Sequence, residues 1–335
     1  MNKGLIIIGG LIFCLGFSEV QKILFPQPTN FPTPVYDFKT NPLSTAKIEL
    51  GRELFYDPIL SKDNTISCAT CHSPYNAFAH TDHDLSHGIF DSIGNRNAPA
   101  LFNLAWQTSF MWDGAVNHLD VQALAPISHP KEMAESLFNV VNKLQQKDDY
   151  KTLFKEAYND TVITGERVLK ALSQFQLTLV SSDSKYDNVK AKTDKFNDQE
   201  EKGYLLFKAN CNTCHAEPLF STYEFASNGL SIDTTLFDFG KGAITNRRED
   251  SLRFKIPSLR NLSYSFPYMH DGRFNKLSEV LNHYDKGVVR HPVLGKGNLT
   301  PIKLSSNEKT DLIAFLLTLN DSTFVFNSNH QYPRK

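Results

Sequence analysis

Four of the five cysteines stand in two pentapeptides of one pattern, Cys68-Ala69-Thr70-Cys71-His72 and Cys211-Asn212-Thr213-Cys214-His215. Two thiols three positions apart lie on one turn of chain and reach the two vinyl groups of one haem. The histidine that follows turns its imidazole under the iron as the proximal ligand. A zinc site would gather all four thiols around one metal and would leave the histidine after each pair unexplained. A redox dithiol has no use for that histidine either. The pattern predicts two covalently bound c-type haems, with Cys68, Cys71, His72, Cys211, Cys214 and His215 as the attachment set. The fifth cysteine, Cys14, sits in the leader described next, so no thiol is left over, which suits an oxidising compartment.

The start of the chain reads as an address. Lys3 supplies a positive charge, residues 5–17 form a short apolar run, and Gly16 and Ser18 stand at the −3 and −1 positions of a small-x-small cleavage site. A membrane span needs ~20 apolar residues and this run is shorter. Residues 1–18 are expected to be a signal peptide, and the mature protein to be periplasmic. Lipid anchoring at Cys14 ranks below simple cleavage, because bulky Phe13 stands where a lipobox wants a small residue.

The elements that must carry the haems are helical. The chain has 335 residues, 41% hydrophobic and 21% charged, with a formal net charge of −1. Its apolar content can bury real cores, its length suggests two domains, and its near-neutral balance argues against nucleic acid as a partner. Residues 19–40, rich in Pro and Phe, read as an extended lead-in. Helical spacing predicts helices over 44–56, from Met133 to Leu144, from Val168 to Leu179, over 278–284 and over 307–319. Asp198 with Glu201 reads as a capping box opening another helix into the second haem motif. The polar stretch 183–197 reads as the domain boundary, and 216–262 as long loops. Alternating strands are scarce. The expected fold is mainly α: two cytochrome c-like haem domains, 19–185 and 186–330, with extensive loops.

Further residues carry a family resemblance. Leu50-Gly51-Arg52-Glu53-Leu54-Phe55-Tyr56-Asp57-Pro58, then Ile66-Ser67 before the first haem motif, Arg96-Asn97-Ala98-Pro99, Phe102-Asn103 and Met111-Trp112-Asp113-Gly114 follow in order. In the second half stand Pro257-Ser258-Leu259-Arg260-Asn261 and Pro267-Tyr268-Met269-His270-Asp271-Gly272. From about residue 40 to about residue 320 the chain resembles bacterial di-haem cytochrome c peroxidases. The same superfamily holds MauG, which oxidises tryptophans of a partner protein.

The resemblance implies roles. The haem held by His72 would be the peroxidatic one, and the haem held by His215 would take electrons from a small donor protein. His87 resembles the distal histidine that caps the peroxidatic iron in resting members; it lies one position nearer the haem motif than the family pattern, with His80 and His83 close by. Glu132 falls at the distal acid and Gln122 at a pocket glutamine. A carboxylate in a poorly solvated pocket can take a proton from the inner peroxide oxygen and give it to the outer one. Trp112 resembles the tryptophan between the two haems. Asn97, Ser265 and Pro267 match positions that hold a calcium ion in relatives.

One position departs from the peroxidase pattern. Where these peroxidases commonly place a methionine opposite the second proximal histidine, this chain has Tyr284; the nearest methionine is Met269. Tyrosine there resembles the MauG branch. A phenolate favours ferric iron and lowers the potential, whereas a thioether favours ferrous iron. The leading expectation is a di-haem peroxidase reducing hydrogen peroxide with electrons from a cytochrome c or cupredoxin, with a second copy of the chain, as a homodimer, among the partners considered. The alternatives are a MauG-like oxidase of a protein or organic substrate, and a non-catalytic di-haem electron carrier.

Overall fold

In this computed structural model the described residues are 24–25 and 27–333. The expected signal peptide, with Cys14, lies outside them. The chain is mainly α, with 43% helix and 5% strand. No helix among the described residues is long and apolar enough to cross a membrane.

The first half is built on α1 (Thr45–Tyr56), α2 (Leu137–Gln145), α3 (Asp148–Tyr158) and α4 (Gly165–Leu177). Ser44, Ser136 and Thr164 cap three of them, each side-chain oxygen accepting a backbone N–H of the first turn. Helix α1 buries Leu50, Leu54 and Phe55 against Phe175 of α4 and against Phe78, which follows the first haem motif. The helices meet at Gly51, where a Cβ would stand 1.9 Å from the Ala171 carbonyl oxygen, so only glycine allows the crossing.

The second half repeats this device. Helices α5 (Asp198–Asn210), α6 (Leu277–Asn282) and α7 (Ser306–Leu317) close a separate core around Phe207, Phe220, Phe315 and Tyr186. Gly203 of α5 meets α7 as Gly51 meets α4: a Cβ would lie 1.9 Å from the Asp311 carbonyl oxygen, and 2.8 Å from the Cβ of Phe315 four residues on. In α4 the corresponding pair is Ala171 and Phe175, again four apart.

Local details differ from the sequence reading. The capping box of α5 is one residue earlier than expected: Asn197 is the cap and Glu200 returns its carboxylate to the Asn197 N–H. Met133 is buried but lies before α2, because Ser136 caps the helix. The polar stretch 183–197 contains a helix, Lys185–Lys190, whose Tyr186 and Asp187 are buried. Asp187 tolerates burial because Arg260, wholly enclosed, grips it with two 2.7 Å hydrogen bonds. Phe324 and Val325, near the C-terminus, return to the first core.

Candidate active site

The two haem motifs fold alike. Each histidine turns its Nδ1 onto backbone carbonyls: His72 onto Phe78 at 2.8 Å, with Pro99 also facing it, and His215 onto Pro257 at 3.1 Å and Phe220 at 3.3 Å. A carbonyl only accepts, so each Nδ1 carries the proton and each Nε2 keeps its lone pair for a metal. Burial drives both imidazoles down to about 4, so both are neutral at physiological pH. Burial raises the Cys68 and Cys211 thiols to about 12. Among the described residues no three or more Cys, His, Asp or Glu side chains converge as a metal cluster.

The loop after the first motif brings His87 and Glu132 to it. The Cys71 thiol donates to the His87 carbonyl at 3.3 Å. That thiol is pushed up to about 11, by burial first and then by the Glu132 carboxylate, which places Glu132 within electrostatic reach of the thiol pair. Gly88 is the seam: its Cβ would lie 2.1 Å from the Lys131 carbonyl oxygen, and Ile89 N–H bonds the Glu132 carbonyl at 2.8 Å. Burial raises the Glu132 carboxyl, and His129, with Nδ1 3.6 Å from Oε1, partly opposes this. His83 stacks on His87 at 4.0 Å and bonds His80 at 3.1 Å.

Gln122 closes a short helix and points its amide at the Met111 sulfur, 3.7 Å away, so it is tied to the Met111–Trp112 turn rather than to Glu132. The Trp112 indole donates to the Asn97 carbonyl at 2.9 Å, and its own carbonyl accepts from Lys255 N–H at 2.7 Å. Lys255 belongs to a two-residue antiparallel ladder, Phe225–Ala226 with Phe254–Lys255. Arg96 clamps Asp238 through two bonds and Asp113 through a third, from 2.6 to 2.8 Å. Trp112 is thereby pinned by residues from both halves of the chain. Asn97 also bonds the His270 carbonyl at 2.8 Å, which brings it to the turn after Pro267, while Ser265 donates to the Asn261 carbonyl at 3.1 Å.

Tyr284 lies in a π-helical turn, His283–Gly287, that continues α6. Such wide turns recur at functional sites. Burial raises its hydroxyl, and the Cys211 and Cys214 thiols add to the rise, so the phenol lies within electrostatic reach of the second thiol pair. The structure therefore brings Tyr284 to the second motif as Glu132 is brought to the first.

Residues 45–195 match the family described as di-haem cytochrome c peroxidase. The chain is 37% identical over 310 residues to a methylamine utilization protein MauG of Methylorubrum extorquens, covering 89% of this chain and 84% of that one. It is 30% identical over 318 residues to a cytochrome c551 peroxidase of Nitrosomonas europaea, covering 90% of each. A solved MauG-like protein associated with microbial copper homeostasis superposes with a TM-score of 0.80 at 30% identity, over 91% of this chain and 98% of that one. The chain belongs to the di-haem cytochrome c peroxidase family.

Membership makes it a haem-dependent oxidoreductase, and c-type haems are the cofactors the family implies. The residues present fit them. Each motif offers two thiols in no disulfide and an imidazole with its Nε2 unblocked. The Tyr223 hydroxyl, wholly buried and without a hydrogen-bond partner, follows Thr222, whose N–H bonds the Cys214 carbonyl; a haem carboxylate is a fitting acceptor for such a donor.

Three features escaped the sequence reading. Pro99 and Pro257 offer their carbonyls to the two histidines from matching segments, Pro99-Ala100-Leu101-Phe102-Asn103-Leu104 and Pro257-Ser258-Leu259-Arg260-Asn261-Leu262. Comparing the halves for a shared segment downstream of each haem motif, with a gap allowed, would have found that repeat, because Pro99 lies 27 positions past His72 and Pro257 lies 42 past His215. Lys255 reaches the Gln107 amide oxygen at 2.8 Å and the Ser109 carbonyl at 3.0 Å, and burial lowers it to about 7. No local pattern marks it. Asn228, which faces Tyr284, lies in a loop without periodicity.

Proposed function

We propose that this di-haem protein is a periplasmic peroxidase that reduces hydrogen peroxide to two waters, taking two protons and two electrons. The electrons come from a small donor protein, a cytochrome c or a cupredoxin. The observation that carries this reading is Glu132, a partly buried carboxyl within electrostatic reach of Cys71 beside the Gly88 seam.

His72 and His215 would hold the two irons through Nε2, and Cys68, Cys71, Cys211 and Cys214 would tether the two macrocycles. The haem at His72 supplies, when bound, an iron that binds peroxide and passes electrons to it. Everything else is work for the chain. Ionised Glu132 takes the proton from the inner peroxide oxygen and returns it to the outer one, so that the O–O bond breaks with water as leaving group. Burial supports this by raising the carboxyl towards working pH. Gln122 would orient the peroxide once its amide turns from the Met111 sulfur. His87 guards the same face in the resting protein. Trp112, pinned by Asn97 of the first half and Lys255 of the second, carries electrons from the second site to the first. We assign the haem domains to 19–185 and 186–330, and a calcium ion to Asn97, Ser265 and Pro267.

Tyr284 favours a second reading. A phenol at the second thiol pair lowers that haem's potential and suits a MauG-like oxidase of a protein or organic substrate better than an electron-entry haem. One experiment divides the two. Purified holoprotein should oxidise reduced cytochrome c when peroxide is added. Glu132→Gln should cut that rate ~10²–10⁴-fold with both haems still bound. Poor cytochrome c oxidation by the unaltered holoprotein would favour the oxidase.

A further inference from the structure

The Asn228 side chain meets both Met269 and Tyr284, the two residues weighed as ligands of the second haem. Its Nδ2 donates to the Met269 sulfur at 3.1 Å, and the same amide faces the Tyr284 hydroxyl. The residue cannot drift. Its backbone carbonyl is bonded by His283 Nε2 at 2.9 Å, and His283 is the immediate neighbour of Tyr284. Gly229 follows at φ +70°, where a Cβ would meet Val288 Cγ1 at 2.6 Å, and its carbonyl accepts from Val289 N–H at 2.8 Å. His291 Nε2 bonds the Leu230 carbonyl at 2.8 Å. The loop 228–230 is therefore strapped, residue by residue, to the segment that carries Tyr284. Met269 is held in the left-handed region at φ +77°, so its backbone direction is fixed as well.

We propose that Asn228 is a positioning residue that selects the axial ligand of the second haem: its amide holds the Met269 sulfur away from the iron and keeps the Tyr284 oxygen facing it. This rests on the reading of Tyr284 as that ligand. A thioether is a weak acceptor, and a directed N–H is enough to bias a flexible methionine between two positions. Without the amide, Met269 becomes a latent ligand one side chain from the phenol. Replacing an anionic oxygen by a neutral sulfur favours ferrous iron, so ligand choice is read directly as a potential.

The test uses the di-haem holoprotein with Asn228→Leu, close in size and lacking the donor, and with Asn228→Asp, which keeps the shape but offers an acceptor. In Asn228→Leu the second haem's reduction equilibrium should shift towards ferrous by at least about tenfold, about 59 mV for one electron, whereas in Asn228→Asp, whose added negative charge opposes that shift, the ligand exchange is read from the spectrum. The far-red charge-transfer band of a sulfur–ferric bond should appear with it. Met269→Leu alone should leave the native spectrum, and added to Asn228→Leu it should abolish the new band. Wild-type potential and spectrum in both Asn228 variants, while Tyr284→Phe alters the second haem, would overturn the selection role alone. A Tyr284→Phe protein with an unchanged second haem would overturn the ligand assignment and the selection role together.

Discussion

Glu132 shows how a side chain acquires chemistry from its surroundings. Burial raises its carboxyl and the His129 ring opposes that rise from 3.6 Å. Removing the ring should let the carboxyl rise further. If ionised Glu132 takes the first proton, activity is lost as pH falls through its pKa. His129→Leu should therefore move the acid limb of the kcat/KM profile to higher pH. An acid limb that stays in place would mean that another group sets it. The histidines of the two Cys-x-x-Cys-His motifs show the converse case: carbonyls fix the Nδ1 proton and burial removes the charge, so each ring presents a neutral Nε2.

Among the elements, the two glycine crossings decide how the helices frame each haem motif. The obstacle at Gly203 is a backbone oxygen, which cannot rotate away as a side chain could. Gly203→Ala should cost about 1–3 kcal/mol, read as a lower urea midpoint at unchanged slope. Arg260 anchors the helix Lys185–Lys190 through Asp187, and it also donates to the Pro218 carbonyl at 2.7 Å. Arg260→Leu leaves a carboxylate buried without its partner and should cost about 3–5 kcal/mol at neutral pH. The pair holds the Asp187 carboxyl below the usual carboxylate range, although burial alone would raise it. Its stabilisation is therefore present above the ordinary carboxylate pKa and is lost as pH falls through the lowered value. The deficit of Arg260→Leu should shrink in that acid window when denaturation is followed against pH.

At the scale of the whole molecule the two halves are joined by polar contacts around two nodes. Ser181 exchanges two backbone hydrogen bonds with the Asn103 amide, at 2.9 and 3.0 Å, and its hydroxyl accepts from Asn261 at 2.9 Å. Asn261 in turn accepts from Asp321 N–H at 2.8 Å. Asn103 and Asn261 occupy matching places in the repeated Pro segments, and both adopt the left-handed backbone. The other node is Trp112, held by Asn97 and by Lys255 from the second half, with Arg96 tying the same turn to Asp238. If electrons cross at Trp112, Trp112→Phe should slow transfer from the second haem to the first. Stopped-flow reduction would show it, with both haem spectra unchanged; equal rates would assign the path elsewhere.

The sequence by itself determined the helical class and the family pattern, because each of these is written in local spacing. Two thiols and a histidine within five residues are the pattern expected of a c-type haem site, and α1 and α7 could be read from apolar spacing. Tertiary structure decided what depends on approach between distant segments. The carbonyls of Pro99 and Pro257 reach histidines far away in the chain. Asp187 is buried only because Arg260 arrives from another segment. The Met269 sulfur, the Asn228 amide and the Tyr284 phenol belong to three stretches with no shared periodicity. Hydrogen bonds and electrostatic fields act over a few ångströms of space, and the fold alone sets which residues share that space.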